Sequence, residues 1–260
     1  PEQKAAELPA QPASSDTDSQ QSPEEQAAQK ALRSHLERKG GFYTILVSGS
    51  DDGNGNSDTN ILVAVDTVNG YVYGVSIPRD SKAVWDGKSH KINAAFGKGG
   101  MTKLAEVVSD QLGIPVDYTV SVDLTGFEAL VEAIGGVYFD VPYNMDYHDQ
   151  YQDLVIEQEK GYRKLNGDDA MQVIRWRKND SNSPYGNPQI GDSGRMQIQQ
   201  DFLKAVIKQL LQLENVPNLG KLAAGFRENV ETDLSFENIL WFGKRAVIGG
   251  LSLEGVSFMT

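Results

Sequence analysis

Asp58 and Arg79 stand in mirror positions about a turn centred between Val68 and Asn69. If Ile61–Asp66 and Tyr71–Ile77 pair as an antiparallel hairpin across Thr67-Val68-Asn69-Gly70, the two side chains meet at its open end. Their Cβ atoms would then lie roughly 5 Å apart. The loop Ser50-Asp51-Asp52-Gly53-Asn54-Gly55-Asn56-Ser57 leads into the same end. One end of a sheet would thus gather carboxylates, a Gly/Asn loop and a guanidinium. A plain ion pair closing the hairpin accounts for the two residues equally well.

Two more arginine groups lie far along the chain. In Arg175-Trp176-Arg177, residues two apart share a side only in extended backbone. The pair can therefore grip one anion if the preceding helix stops by Ile174. A planar guanidinium suits bidentate phosphate or carboxylate contacts, and two solvated surface arginines are the alternative. Arg195 and Gln199 are four apart, hence on one helix face, near an expected N-terminus that favours anions. There the alternative is an ordinary polar face. Aspartates beside arginine-bound phosphate hold Mg²⁺ through oxygen ligands, so convergence of these groups would equip the chain for pyrophosphate chemistry.

Composition narrows the classes. The 260 residues carry 36 acidic and 24 basic side chains, a formal charge of −12, which argues against a nucleic-acid partner. Cysteine is absent, which excludes thiol nucleophiles, disulfides and thiolate metal sites. Three histidines make a His-rich metal site an unfavoured reading. No stretch reaches the roughly 18 apolar residues of a membrane helix. The chain begins at Pro1 without a Met, which is compatible with a lost N-terminal anchor.

The elements that must position these groups read as follows. Residues 1–22 are polar and poor in large apolar side chains, the composition of a flexible tether. Ser22-Pro23 with Glu25 marks a helix start, and a peripheral helix fills 23–41 before Gly40-Gly41 ends it. The main domain, 42–260, opens with a strand at Phe42–Ser48. The run Ile-Leu-Val-Ala-Val from Ile61 is apolar on both faces and suits a covered central strand. Helices are expected over Gly100–Leu112, Gly126–Ile134, Asp168–Ile174, Arg195–Leu213 and Phe236–Val247, with strands at Tyr118–Val122 and Val137–Val141. The Arg195 helix carries a stripe of Phe202, Leu203, Val206, Ile207, Leu210 and Leu211. Alternating strands and helices give an α/β class, a three-layer helix–sheet–helix around a central mixed sheet.

Taken together, the motifs resemble the LytR–CpsA–Psr family of bacterial cell-wall glycopolymer transferases. The matching segments are Gly49-Ser50-Asp51, Ser57-Asp58-Thr59, Ser76-Ile77-Pro78-Arg79-Asp80, and Lys91-Ile92-Asn93-Ala94 with Gly99-Gly100. Gly135-Gly136-Val137, Leu165-Asn166-Gly167 with Ala170-Met171, Arg175-x-Arg177 and Arg195-x-x-x-Gln199 follow in order. The resemblance runs from about Phe42 to Leu213, with a weaker echo at Thr232-Asp233-Leu234.

The resemblance implies an extracytoplasmic domain at the bacterial membrane and cell wall, held by an N-terminal anchor absent from this chain and acting as a monomer. It implies transfer of a glycopolymer, such as teichoic acid or capsule, from a polyprenyl-pyrophosphate carrier to peptidoglycan. Asp51 and Asp58 would hold Mg²⁺ (or Mn²⁺). Arg79, Arg175, Arg177 and Arg195 would hold the pyrophosphate, with Gln199 beside them, and apolar side chains between sheet and helices would house the lipid. Arg79, Asp58 and Asp80 form the implied catalytic set, with Asp58 or Asp80 as base. The family commonly has Arg where this chain has Asn56, which removes one charge-assisted contact. A pyrophosphatase using water, or a non-catalytic lipid-phosphate binder, would use the same groups. The tyrosines of Tyr138–Tyr162 are expected on an edge strand and loop.

Overall fold

The computed structural model describes residues 40–50, 55–151, 154–210, 219–248 and 256–259. The expected tether, nearly all of the expected 23–41 helix, Asp51 and Leu211 lie outside these residues. The described elements, in order, are β1 (Phe42–Ser50), β2 (Ser57–Asp66), β3 (Tyr71–Ser76), β4 (Lys82–Trp85), β5 (Lys88–Lys91) and α1 (Ala94–Leu112). β6 (Tyr118–Val122), α2 (Leu124–Ala133), β7 (Val137–Val141), β8 (Met145–Asp149), β9 (Leu154–Gln158), β10 (Gly161–Leu165) and α3 (Gly167–Arg175) follow. The last are α4 (Gly191–Leu210), α5 (Leu219–Asn229), β11 (Glu231–Thr232), α6 (Phe236–Ile248) and β12 (Val256–Met259).

The central sheet is mixed, ordered β11-β6-β1-β2-β3-β12. β1, β2 and β3 run antiparallel in succession, while β6 lies parallel to β1 and β12 parallel to β3. The β2–β3 register pairs Ile61 with Ser76 and Asp66 with Tyr71. Asp66 fixes that register, because its carboxylate accepts hydrogen bonds from the backbone N–H of Val68 and Asn69 and from the Asn69 amide. Gly70 completes the turn at φ 72°, a conformation open to glycine at little cost.

Period-two alternation sends the strand side chains to opposite layers. Leu46 and Leu62 pack on one face with Leu104, Val107 and Val108 of α1. Ile61, Val63 and Val72 face the other way, toward Leu203 and Ile207 of α4. β6 adds Tyr118 and Val120, which meet Leu234 with Phe226 of α5 and Phe242 of α6. The helix–sheet–helix layering expected from the sequence is therefore present.

A second core sits beside the sheet, where β7 pairs with β10 and β8 with β9. Val137, Phe139, Met145, Ile156, Val173 and Trp176 fill it with Ile198 and Phe202 of α4. The α4 stripe is thus divided: Phe202 packs on Phe127 and Phe139 in this second core, while Leu203 and Ile207 turn to the sheet. Asp123 and Asn166 cap α2 and α3 by accepting from the N–H groups of Gly126 and Asp169.

The elements depart from expectation in three places. α1 begins at Ala94, but Gly99 and Gly100 break it with non-helical backbone, so the expected start at Gly100 marks the longer segment. α4 begins at Gly191, one turn before Arg195. The hairpins β4–β5 and β8–β9, the strand β10 and the helix α5 lie where the sequence reading places no element. The charged strand β5 (Lys-Ser-His-Lys) shows why: its residues are exposed or half-buried, and no apolar alternation announces it.

Candidate functional site

The hairpin mirror relation holds. Beyond the ladder, the Ile77 N–H donates to the Asn60 carbonyl at 2.8 Å, which carries the register one step further. Asp58 and Arg79 then face each other as an ion pair, each partly exposed. The Arg79 guanidinium is held above its ordinary value, chiefly by the hydrogen bond to Asp58. Its Nε is nevertheless buried with no hydrogen-bond partner.

α3 runs one residue beyond the expected stop, to Arg175. Trp176 then turns extended (φ −64°, ψ 139°), and its ring is fully buried in the second core, donating Nε1–H to Asn179 at 3.0 Å. Burial of Trp176 on that side leaves Arg175 and Arg177 to the other, and both line the large cavity described below. The extended geometry needed for a two-arginine grip is supplied by the cap residue.

Arg195 is 8% exposed. It lies in the second turn of α4, so the free N–H groups of the helix end belong to residues before it, a correction to the expected arrangement. Asp192 occupies the first turn and offsets the dipole there. Its carboxylate reaches Arg195 at 3.3 Å and the Nε of Arg177 at 3.4 Å. Burial, followed by the nearby Arg177, pushes the Arg195 guanidinium down to about 10, and Asp192 and Asp58 oppose the change. The guanidinium stays charged at neutral pH, and its Nε is buried without a partner.

Gln199 is committed elsewhere. Thr59 donates its hydroxyl to the Gln199 carbonyl at 3.2 Å, and the amide donates to the Ile174 carbonyl at 3.3 Å. It ties α4 to β2 and to the end of α3, and so sets the spacing of the Arg195 and Arg175 segments against the strand that carries Asp58. Asp80 is bound by Lys91 at 2.5 Å on the surface, and that ammonium holds its carboxyl below the usual range.

These groups close one end of a cavity of about 920 Å³. Asp58, Arg79, Arg175, Arg177 and Arg195 line the polar end. Ile61, Val63, Val72, Leu203, Ile207 and Phe226 line the apolar body, which reaches Thr67 and Gly70 at the hairpin turn. Along β2, the distance from Asp58 to Thr67 is roughly 30 Å. A smaller pocket of about 180 Å³ shares Asp58, Arg79, Arg195 and Gln199, and adds Asp80 and Asp192. All four expected arginines thus border one space, as does Asp58.

Sequence reasoning missed Asp192 because it placed the helix start at Arg195. Its i, i+3 spacing to Arg195 was the available signal. Asn56 does not line either cavity. Its side-chain oxygen lies against Gly97 of α1, where an added Cβ would approach it to 3.0 Å.

Two observations bear on ligands. Two buried Nε donors without partners fit an anion, since an unsatisfied buried donor is costly and a phosphate oxygen would satisfy it. For a hard cation the described polar end offers Asp58, with Asp192 and Asp80 in the adjoining pocket. Elsewhere among the described residues, Asp146, His148 and Asp180 bring possible ligand atoms within 4.8 Å of one another. There both ring nitrogens of His148 already meet carboxylates, Asp180 at 3.2 Å and Glu157 at 3.3 Å, and this raises the imidazole above its ordinary value.

Comparison with known proteins places this geometry. The model of the LytR_cpsA_psr family matches residues 9–253. Over 202 residues the chain is 35% identical to the polyisoprenyl-teichoic acid–peptidoglycan teichoic acid transferase TagV of Bacillus subtilis strain 168, covering 74% of this chain and 50% of that protein. It is 29% identical to the transferase TagU of Enterococcus faecalis, with 84% of this chain and 71% of that protein covered. The chain spans about half the length of that TagV. The crystal structure of B. subtilis TagV superposes with a TM-score of 0.72 at 30% identity, covering 85% of each chain. TagT bound to LI-WTA shares the fold, with a TM-score of 0.65 at 23% identity over 86% of this chain and 81% of that one. With the family match spanning nearly the whole chain and the layered fold shared, this chain belongs to the LytR_cpsA_psr family.

Proposed function

We propose that the chain transfers an anionic glycopolymer from a polyprenyl-diphosphate carrier to a peptidoglycan hydroxyl, outside the cell membrane. One observation carries the reading: a long apolar cavity ends in four arginines, two of which hold buried Nε donors without partners. A ligand with a greasy chain and a diphosphate head matches both halves. The relatives named as teichoic acid transferases support the same class of substrate.

In this reading the diphosphate lies against Arg79, Arg175, Arg177 and Arg195. Gln199 and Asp192 position those side chains. An acceptor hydroxyl attacks the phosphorus that bears the glycopolymer. The bond from that phosphorus to the bridging oxygen breaks, and polyprenyl phosphate leaves carrying the electron pair. The arginines stabilise the charge that gathers on the leaving group. The hydroxyl proton passes to a carboxylate. Asp58 is favoured over Asp80, because Asp58 borders both cavities while Asp80 borders only the smaller one. Asp58 together with Asp51 would hold Mg²⁺ (or Mn²⁺), which supplies further stabilisation of phosphate charge.

The test is product analysis with a polyprenyl-diphosphate oligosaccharide and soluble peptidoglycan fragments. A new phosphodiester between sugar and peptidoglycan, absent with Arg175→Ala, supports the proposal. Free sugar phosphate alone would assign the chain to hydrolysis, with water as acceptor. Full turnover by Arg175→Ala would rule out the arginine clamp.

A further inference from the structure

The arginines occupy one end of the sheet, and the opposite end has a different character. β1 enters there, at Gly41-Phe42. The Thr67 N–H and hydroxyl both donate to the Gly41 carbonyl at 2.8 Å, which places the β2–β3 turn beside the point where the chain enters. β6 runs parallel to β1 with Ile45 opposite Tyr118, and the Asp117 N–H donates to the Thr44 carbonyl. Extending that register sets Ile114 at the level of Gly41. The α1–β6 connection, the start of β1, the β2–β3 turn and the start of β3 therefore form one rim. Across four strands the rim spans roughly 14 Å.

This rim exposes apolar side chains from separate segments. Leu112 is 38% and Ile114 41% exposed at the end of α1, Val68 is 55% exposed on the turn, and Tyr71 is 43% exposed at the start of β3. The cavity reaches the same end, where Thr67 and Gly70 line it. The chain also enters the domain here, at Gly40-Gly41, after the expected tether (1–22) and the expected helix (23–41).

We infer that this rim rests on a phospholipid bilayer surface, with Val68, Tyr71, Leu112 and Ile114 at the headgroup boundary. The orientation rests on the polyprenyl reading of the cavity. It places the arginine end farthest from the lipid and lets the prenyl chain pass from bilayer to cavity without crossing water. A tyrosine beside aliphatic side chains suits the boundary, since its ring is apolar and its hydroxyl stays wet. Attraction to anionic headgroups does not drive the contact. The chain carries −12, and the exposed Asp110 lies two residues before Leu112 at the same helix end. Affinity therefore follows buried apolar area and survives high salt.

The test is flotation of the chain with phosphatidylcholine vesicles, repeated with phosphatidylglycerol vesicles and in high salt. Wild type should float with both, at either salt concentration. Val68→Asp with Ile114→Asp should weaken binding on the order of tenfold, and the milder Val68→Ser with Ile114→Ser should weaken it in the same direction. Val84→Asp serves as control, because Val84 is 63% exposed on β4, in the hairpin that backbone hydrogen bonds from Ile92 to Ser81 and from Asn93 to Arg79 tie to the arginine end, and it should float like wild type. Wild type that stays unbound, rim variants that float unchanged, or an equal loss in Val84→Asp would each overturn the inference. Self-association of the free chain that the rim variants abolish, without vesicle binding, would assign the rim to a second copy and also overturn it. Binding of geranylgeranyl diphosphate is measured alongside. Rim variants should retain it, since neither Val68 nor Ile114 lines the cavity. Wild type that floats but does not bind this diphosphate would sink the cavity reading and leave the rim standing.

Discussion

Replacing Arg195 with methionine separates the cost of the buried guanidinium from its use. Burial and Arg177 depress the group to about 10, which corresponds to roughly 3 kcal/mol of unfavourable charge burial at neutral pH. The Asp192 contact at 3.3 Å returns part of this. A methionine of similar length fills the space, needs no partner for Nε, and leaves Asp192 to Arg177. Replacing buried charge with apolar volume is often neutral or stabilising by about 1–4 kcal/mol. Arg195→Met should therefore unfold at the same temperature as wild type or a higher one. Diphosphate binding should move the other way, because a lost charge-assisted hydrogen bond costs about 1.5–3 kcal/mol, or roughly 10- to 150-fold in Kd. Thermal unfolding and calorimetric titration with geranylgeranyl diphosphate read the two quantities on one sample. A variant destabilised by more than about 2 kcal/mol that still binds with wild-type affinity would refute the reasoning.

Other outcomes follow from the same geometry. Leu203→Trp fills the apolar body and should abolish binding of long prenyl diphosphates while leaving inorganic pyrophosphate binding within about threefold, read by competition titration. Raising the pH through about 10 should weaken diphosphate binding as Arg195 loses its proton. For stability the sign is opposite: the fold disfavours the charged form, so above about 10 the unfolded chain binds the extra proton and this group's contribution rises with pH. Paired titrations and melts at pH 8 and about 10.5 check both directions. Gly126→Ala should destabilise by roughly 1–3 kcal/mol, since its Cβ would come within 2.2 Å of the Asn229 carbonyl, and a chemical denaturation series measures this.

The site was legible where sequence spacing maps directly onto geometry. A hairpin turn fixed by Asp66 converts equal distances from Val68-Asn69 into a contact, so Asp58 and Arg79 could be paired from spacing alone. Arg175 and Arg177 required knowing where a helix ends, and the expectation missed by one residue because Trp176, not Arg175, leaves the helix. Asp192 was hidden by the misplaced start of α4, whose first turn is Gly-Asp-Ser-Gly and carries no apolar residue to mark it. The role of Gln199 was illegible for another reason. Its partners, Thr59 and the Ile174 carbonyl, are distant in sequence, and nothing local names them. The hairpins β4–β5 and β8–β9 escaped because one strand of each, β5 (Lys-Ser-His-Lys) and β8 (Met-Asp-Tyr-His-Asp), is polar and lacks apolar alternation, while the partner strands β4 and β9 are only four or five residues long.

The central claim is that one cavity takes a prenyl chain along its apolar body and a diphosphate at its arginine end. A crystal structure of the chain with geranylgeranyl diphosphate tests it most directly. The predicted result is diphosphate oxygens within hydrogen-bond distance of Arg79, Arg177 and Arg195, the two orphaned Nε donors satisfied, and the prenyl chain running past Val63 and Leu203 toward Thr67. Diphosphate bound away from these arginines, with the cavity left to other occupants, would contradict it.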